Sequence, residues 1–171
     1  MIGQHLRTLI AIAASCALGV GCTIPATSGK SISGCQAGAA QPQSSAGLDQ
    51  VTLCITSGAK TRGFKTEVAK SSAEQAKGLM FRTGIANDEA MLFPFSEPRI
   101  ASFWMRNTVI PLDIIFIRAN GSIESIAENT IPYSTDPVEA GEPVIAVLEV
   151  RGGLTAELGI AAGDKVKWGP K

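Results

Sequence analysis

The chain has 171 residues and balances 15 Lys and Arg side chains against 15 Asp and Glu, so its formal net charge is zero. Arg7 and Lys30 are the only charged side chains before residue 48, so residues 48–171 have 13 basic side chains and 15 acidic ones. Because binding to phosphates requires a basic surface, this balance and the absence of a basic run argue against a nucleic acid partner. The only histidine is His5. A chain that has lost its N-terminal segment therefore contains no histidine, which excludes Ser-His-Asp and Cys-His catalysis and histidine-containing zinc sites.

Residues 1–22 have the pattern of an export signal. Arg7 precedes the run 9–20, which is apolar, rich in small residues and too short to favour a spanning helix over a signal core. Gly19-Val20-Gly21-Cys22 resembles the lipobox of bacterial lipoproteins, in which the cysteine is acylated and becomes the new N-terminus. We therefore expect an exported protein on the periplasmic side of a bacterial membrane, held there by a lipid anchor if Cys22 is acylated. Plain secretion and a retained anchor are the alternatives.

Residues 23–47 are rich in Ser, Gly, Ala, Gln and Pro, and Lys30 is their only charged side chain. They offer too little apolar surface to order themselves, so they are predicted to form a disordered tether. Residues 48–171 have the usual length of one domain, with apolar clusters throughout. In an oxidising compartment Cys35 and Cys54 can pair and close a loop of about 18 residues. Two unrelated thiols, with Cys54 buried in a strand, are the alternative.

The first half of the domain contains two predicted strands and a helix. Residues 51–55 and 64–69 are rich in Val, Thr, Ile and Phe and are separated by a short polar turn, so they are predicted to be neighbouring strands. Ser71 and Glu74 then have the spacing of a capping box, which predicts a helix that continues to about Leu79.

The second half of the domain is dominated by strands. Asn120-Gly121 is a strong hairpin signal between apolar segments, and residues 143–150 are apolar enough to form a central strand buried on both faces. A short helix is predicted at 155–158. The further predicted strands are residues 91–93, 101–105, 112–117, 122–126 and 165–168. Together these elements predict a mainly β fold of the α+β class, with two short helices and a small closed or nearly closed, antiparallel-rich barrel.

Several motifs along residues 48–168 resemble the Domain of Unknown Function 192 family in both order and spacing. They are Ala76-Lys77-Gly78-Leu79-Met80-Phe81-Arg82, Met91-Leu92-Phe93, Phe103-Trp104-Met105-Arg106-Asn107-Thr108, Ile110-Pro111-Leu112-Asp113 and Val147-Leu148-Glu149-Val150, followed by Gly153, Gly159-Ile160 and Gly163-Asp164. The resemblance implies a compact, β-rich and often exported protein. It implies no established activity, so it informs the fold more than the function.

The block 103–113 crowds polar and charged side chains between two apolar strands, which makes it the best candidate for a binding site. Trp104 can provide a stacking platform, and Arg106 has a planar guanidinium that suits a carboxylate or a phosphate. With Asn107, Asp113 and Arg82, they are predicted to bind a small polar or anionic ligand or an envelope protein. No cofactor and no metal site are predicted.

The same residues also have structural interpretations. Trp104 is typical of a core position, and Asn107 can hold the turn before the next strand. Asp113 can accept hydrogen bonds from backbone amides or pair with Arg106, because an unpaired carboxylate in an apolar strand is costly. Glu149 can face outward or form a salt bridge with Arg82 or Arg106.

Three functions are compatible with the sequence. The preferred one is an exported binding or accessory module. The second is a hydrolase without histidine that uses Asp113 and Glu149 as acid and base, which requires the two carboxyl groups to face one pocket at roughly 5 to 10 Å. The third is a purely structural envelope protein.

Overall fold

The computed structural model describes residues 34–169, which form ten strands and two short helices. The mainly β prediction with two short helices is therefore confirmed. In chain order the elements are β1 (Ala40–Gln41), β2 (Gln50–Ser57), β3 (Lys60–Val68), α1 (Ser72–Lys77), β4 (Glu89–Arg99), β5 (Ser102–Phe103), β6 (Leu112–Ile117), β7 (Ile123–Ala127), β8 (Val138–Glu139), β9 (Val144–Arg151), α2 (Leu154–Leu158) and β10 (Lys165–Lys167).

The main sheet has the strand order β1-β2-β3-β4-β9-β6-β7, with β10 paired to β2, and β5 pairs with β8 in a separate ribbon. All neighbours are antiparallel except β3 and β4, which α1 connects. The predicted closed or nearly closed barrel is not confirmed. The three-residue strand β10 meets the far side of the sheet only at an isolated bridge between Ser122 and Lys165, so no continuous ladder closes it.

The strands β9 and β6, together with residues 90–93 of β4, are buried on both faces of the sheet. Successive side chains of a strand point to opposite faces, so these strands contribute to two apolar layers. On the α2 face, Ile115 and Leu148 are fully buried together with Leu154 of α2. On the opposite face, Phe93 and Ile114 pack beneath the segments that follow α1 and β4. The burial predicted for residues 143–150 is confirmed by β9.

Two local predictions are confirmed by hydrogen bonds. The Ser71 hydroxyl accepts from the Glu74 amide at 3.2 Å, and the Glu74 carboxylate accepts from the Ser71 amide at 2.7 Å, which completes the capping box. The helix ends at Lys77, earlier than predicted, because Gly78 has a positive φ of 46°. The hairpin between β6 and β7 turns at Asn120-Gly121, where the Asn120 side chain accepts from the Ser122 amide at 2.8 Å.

The structure differs from the predicted tether over residues 34–47. β1 pairs with β2, the Gly38 amide donates to the Thr52 carbonyl at 2.8 Å, and Cys35 and Cys54 form a disulfide with a Cα–Cα distance of 6.0 Å. A covalent bond and backbone pairing order this stretch although its composition offers few apolar side chains. The predicted signal segment with Cys22, and the tether before residue 34, lie outside the described residues. Within residues 34–169, no helix has the length and apolar character needed to cross a membrane.

Candidate functional site

Asp113 is completely buried, and its carboxylate is saturated with hydrogen bonds. One oxygen accepts from the backbone amides of Asn129 and Gly153, each at 2.8 Å. The other accepts from the amide of Thr155 at 2.9 Å and from its hydroxyl at 2.7 Å. A carboxylate has about four acceptor positions, and all of them are in use here. Asp113 therefore joins β6 to the loop at Asn129 and to the start of α2, which is the structural role that the sequence allowed.

The glycine pair before α2 makes this arrangement possible. Gly153 has a φ of 77°, a conformation that favours glycine, and so turns its amide toward Asp113. A Cβ atom on Gly152 would lie 2.9 Å from the Pro111 side chain and 3.0 Å from the Asn129 side-chain oxygen, so no other residue fits without a shift.

Glu149 and Asp113 do not share a pocket. Asp113 pairs with Val150 across β6 and β9, and Glu149 pairs with Ile114. Since neighbouring residues of a strand point to opposite faces, Asp113 lies on the α2 face and Glu149 on the opposite face. The geometry therefore gives no support to an acid and base pair made of these two carboxyl groups.

Glu149 lies at the floor of a cleft of about 300 Å³, which we call the first cleft. It is 5% exposed, and its carboxyl group has no hydrogen bond or ion pair with any residue in the range 34–169. Burial raises the pKa of Glu149 to about 8. The other residues that line the first cleft include Gln75, Met80, Phe93, Arg99, Phe103, Trp104 and Thr108. An acid held in this state is ready to donate a proton or to accept a donor group from a ligand.

Aromatic rings form the wall of the first cleft. Trp104 is 48% exposed, and the Arg106 guanidinium lies 4.5 Å from its ring centroid. Phe103 meets Phe93 edge to face, with 5.1 Å between ring centroids. The cleft thus combines an unpartnered carboxyl group with an aromatic wall, which suits a ligand with one polar group and a planar or apolar body.

The end of α1 forms the other wall of the first cleft. A Cβ atom on Gly78 would lie 3.3 Å from the Phe93 ring, so glycine allows the chain to approach the sheet closely. The Gln75 amide group donates to the Ala69 carbonyl at 3.1 Å and to the Pro94 carbonyl at 3.0 Å. These bonds hold α1 against the sheet. The sequence did not indicate Gln75 or Arg99 as part of a site, because neither belongs to a recognisable pattern.

Asn107 holds the turn that carries Trp104 and Arg106. Its carbonyl accepts from the Phe81 amide at 2.9 Å, and its side-chain amide donates to the Met80 sulfur at 3.7 Å. Its φ of 56° lies in the left-handed region, which asparagine tolerates better than most residues. Asn107 is therefore a positioning residue for the wall of the first cleft.

Arg82 lies apart from the other predicted binding residues. Its guanidinium pairs with the Glu67 carboxylate at 2.6 Å, in a second cleft whose lining does not include Trp104. Neither Arg82 nor Arg106 forms the salt bridge to Glu149 that the sequence allowed. Within the described part of the chain, no three His, Cys, Asp or Glu side chains are grouped so that they could hold a metal ion.

The chain belongs to the Domain of Unknown Function 192 family. The profile of this family, described as "Uncharacterized ACR", matches residues 53–168. A crystal structure of a protein of unknown function from Novosphingobium aromaticivorans DSM 12444 is similar, with 48% identity, a TM-score of 0.73 and coverage of 75% of this chain and 92% of that one. A protein from Sinorhizobium meliloti 1021, described as a "putative transcription regulator", is 35% identical with a TM-score of 0.68, over 70% of this chain and 94% of that one. A comparison with curated proteins found no match.

Asp113→Asn is expected to lower the free energy of unfolding by on the order of 3 kcal/mol. The amide nitrogen of Asn cannot accept a hydrogen bond, so the donors that now bond to one carboxylate oxygen would lose their partner. Urea unfolding of the variant and the wild type measures this difference. Asp136→Asn, at an exposed loop position, is the matched control and should change the free energy by less than about 0.5 kcal/mol. Equal stability of Asp113→Asn and the wild type would contradict the structural role.

Glu149→Gln is expected to stabilise the protein increasingly as the pH rises. The pKa of Glu149 is about 8 in the folded state against an ordinary value of 4.5, so the folded protein retains a proton that the unfolded chain loses between these values. The wild type therefore loses stability relative to the variant by about 1.4 kcal/mol per pH unit in this window, and the difference is constant above it. Urea unfolding at pH 4, 6 and 8.5 tests the prediction, and a difference that does not change with pH argues against a buried, unpartnered Glu149.

Proposed function

We propose that this domain is a small-molecule binding module whose ligand places a hydrogen-bond donor, best an ammonium or guanidinium group, against the Glu149 carboxyl. The observation that carries the proposal is the burial of this group without a partner at the floor of the first cleft. A buried carboxyl group without a hydrogen bond destabilises the protein, and a charged donor from a ligand forms the strongest bond available to it. Binding would therefore give this carboxyl group the partner that it lacks in the unliganded domain, and so would stabilise the protein.

The aromatic wall supports a ligand with a planar or apolar body. Trp104 already stacks against the Arg106 guanidinium, which shows that its ring accepts a cation. The volume of about 300 Å³ suits a small ligand, at the lower end of the usual range for ligand sites. Phe93 and Phe103 extend the apolar surface inward from Trp104.

The proposed ligand differs from the polar or anionic one that the sequence suggested. Asp113 has no free acceptor position, and Asn107 is bonded within the turn. An anion in the first cleft would lie against Glu149 and would be repelled whenever this carboxyl is ionised. A ligand with a donor group has no such conflict.

The proposal does not include catalysis or nucleic acid binding. Asp113 and Glu149 lie on opposite faces of the sheet, which removes support for a hydrolase built on this pair. One relative is described as a transcription regulator, but this chain has as many acidic as basic side chains and no basic run.

At pH 8.5, where Glu149 is ionised, benzylamine is expected to raise the melting temperature of the protein, whereas benzoate, with the same ring and a negative charge, is not. The affinity of the protein for benzylamine should increase with pH by up to about tenfold per unit, because the Glu149 carboxyl must lose its proton to pair with an ammonium group. The affinity should become constant above the pKa of Glu149 of about 8. Thermal melting and calorimetric titration at pH 6, 7 and 8.5 measure both effects.

Glu149→Gln should abolish the response to benzylamine and Trp104→Ala should weaken it. Glu97→Gln, an exposed position outside the first cleft, is the matched control and should bind as the wild type does. Equal stabilisation by benzoate and benzylamine, or an unchanged response in Glu149→Gln, would refute the proposed function.

We also propose that the domain works outside the cytoplasm, attached to a bacterial membrane through an acylated Cys22. The support is the signal-like segment of residues 1–22 and the lipobox-like Gly19-Val20-Gly21-Cys22. Two or more acyl chains on one cysteine give stable attachment, whereas one chain gives only marginal binding.

Expression of the full chain in a bacterial host should place it in the membrane fraction, with an N-terminal peptide that begins at an acylated Cys22. Mass spectrometry of that fraction measures the mass of the modified peptide. Cys22→Ser should release the domain from the membrane, and Cys16→Ser is the matched control that should leave it attached. A soluble wild-type protein with an unmodified Cys22 is the result that excludes the anchor.

A further inference from the structure

A second cleft, of about 600 Å³, lies on the other side of the segment that follows α1. Its lining combines an exposed aromatic ring with planar polar groups and both signs of charge. The residues that carry the argument are Gln50, Lys65, Glu67, Phe81, Arg82 and Glu89.

Gln50 is a buried side chain without a partner in this cleft. It is 7% exposed, and its backbone is held between β1 and β3 by pairing with Gln41 and Glu67. Its Oε1 is the one side-chain nitrogen or oxygen atom of residues 34–169 that is fully shielded from solvent and has no hydrogen bond. The carboxyl oxygens of Glu149 also lack a partner, but they still reach the first cleft. A buried amide group without partners destabilises the protein. The Gln50 Nε2 atom also has no hydrogen bond but is not fully shielded, so the cleft lacks a group that accepts from it.

Phe81 presents an aromatic ring at the edge of the second cleft. It is 69% exposed although Leu79, two residues earlier, is buried. Its φ of 65° is unfavourable for an aromatic residue, and the bond from its amide to the Asn107 carbonyl at 2.9 Å holds it there. The backbone at Phe81 is thus strained, and the ring does not stabilise the core because it lies in solvent.

The charged groups of the second cleft are balanced and partly fixed in place. Glu67 is nearly buried and pairs with Arg82 at 2.6 Å, and the guanidinium keeps further donors free for a ligand. Lys65 and Glu89 add one charge of each sign. A balanced set of planar, hydrogen-bonding groups suits a neutral ligand with many hydroxyl groups better than a strongly charged one.

We propose that the second cleft binds a saccharide. One hydroxyl group of the sugar accepts a hydrogen bond from Gln50 Nε2, which is the atom of this amide group that a ligand in the cleft can reach. The C–H face of the sugar ring packs on Phe81, and the remaining hydroxyl groups bond to Arg82 and Glu67. This site is separate from the first cleft and does not depend on Glu149.

Saturation-transfer NMR and calorimetric titration of the purified protein test the proposal. The probes are glucose, galactose, mannose, N-acetylglucosamine, maltose, cellobiose and chitobiose, each up to about 10 mM. At least one is expected to bind to the wild type. Phe81→Asn and Gln50→Leu should each weaken that binding by about tenfold or more. Asn tolerates the left-handed conformation, and Leu removes both polar atoms at a similar volume, so both variants are expected to fold.

Tyr133→Asn is the matched control, since Tyr133 is also an exposed aromatic residue with a positive φ, of 63°, but lies outside the second cleft. It should bind the sugar as the wild type does, and so should Glu149→Gln, which separates this test from that of the first cleft. Absence of binding by every sugar, or equal binding by the wild type and the two cleft variants, would overturn the proposal. A similar loss in Tyr133→Asn would also overturn it.

Discussion

The strand β9 lies between β4 and β6, and apolar layers cover both of its faces. A polar side chain in the buried part of this strand or of its neighbours is therefore taken out of water and needs a partner. Two carboxyl groups lie in this position, Asp113 on β6 and Glu149 on β9. The alternation of side chains across the strands sends them to opposite faces, so each meets a different environment and they cannot act together.

The two carboxyl groups show how environment decides the role of the same chemical group. Asp113 faces the start of α2, where Gly153 and Thr155 provide amide donors and the charge is fully bonded. Glu149 faces a cleft lined by rings and receives no donor, so burial raises its pKa to about 8. The first group stabilises the fold, whereas the second remains available for a ligand.

The segment of residues 78–82 separates the two clefts and belongs to the walls of both. Gly78 brings it against the Phe93 ring, and Leu79 anchors it in the core. Met80 then faces the first cleft, while Phe81 faces the second. Since the turn that carries Trp104 is bonded to this segment through Asn107, a ligand in one cleft contacts the same short piece of backbone that shapes the other.

Local chemistry determined much of the fold. The capping box at Ser71, the hairpin at Asn120-Gly121 and the burial of β9 depend on neighbouring residues and on apolar patterns, which the sequence contains directly.

The candidate site was only partly predictable. Trp104 and Glu149 were named from sequence, but whether Glu149 finds a donor depends on strand register and on side chains distant in the chain. Arg82 and Trp104 likewise lie in different clefts because the fold separates them. The sequence by itself thus determined the family and most of the elements, but not β1 or β8, which depend on pairing with distant strands. The tertiary structure alone decided which polar groups are satisfied, because burial and hydrogen bonding depend on contacts between distant segments.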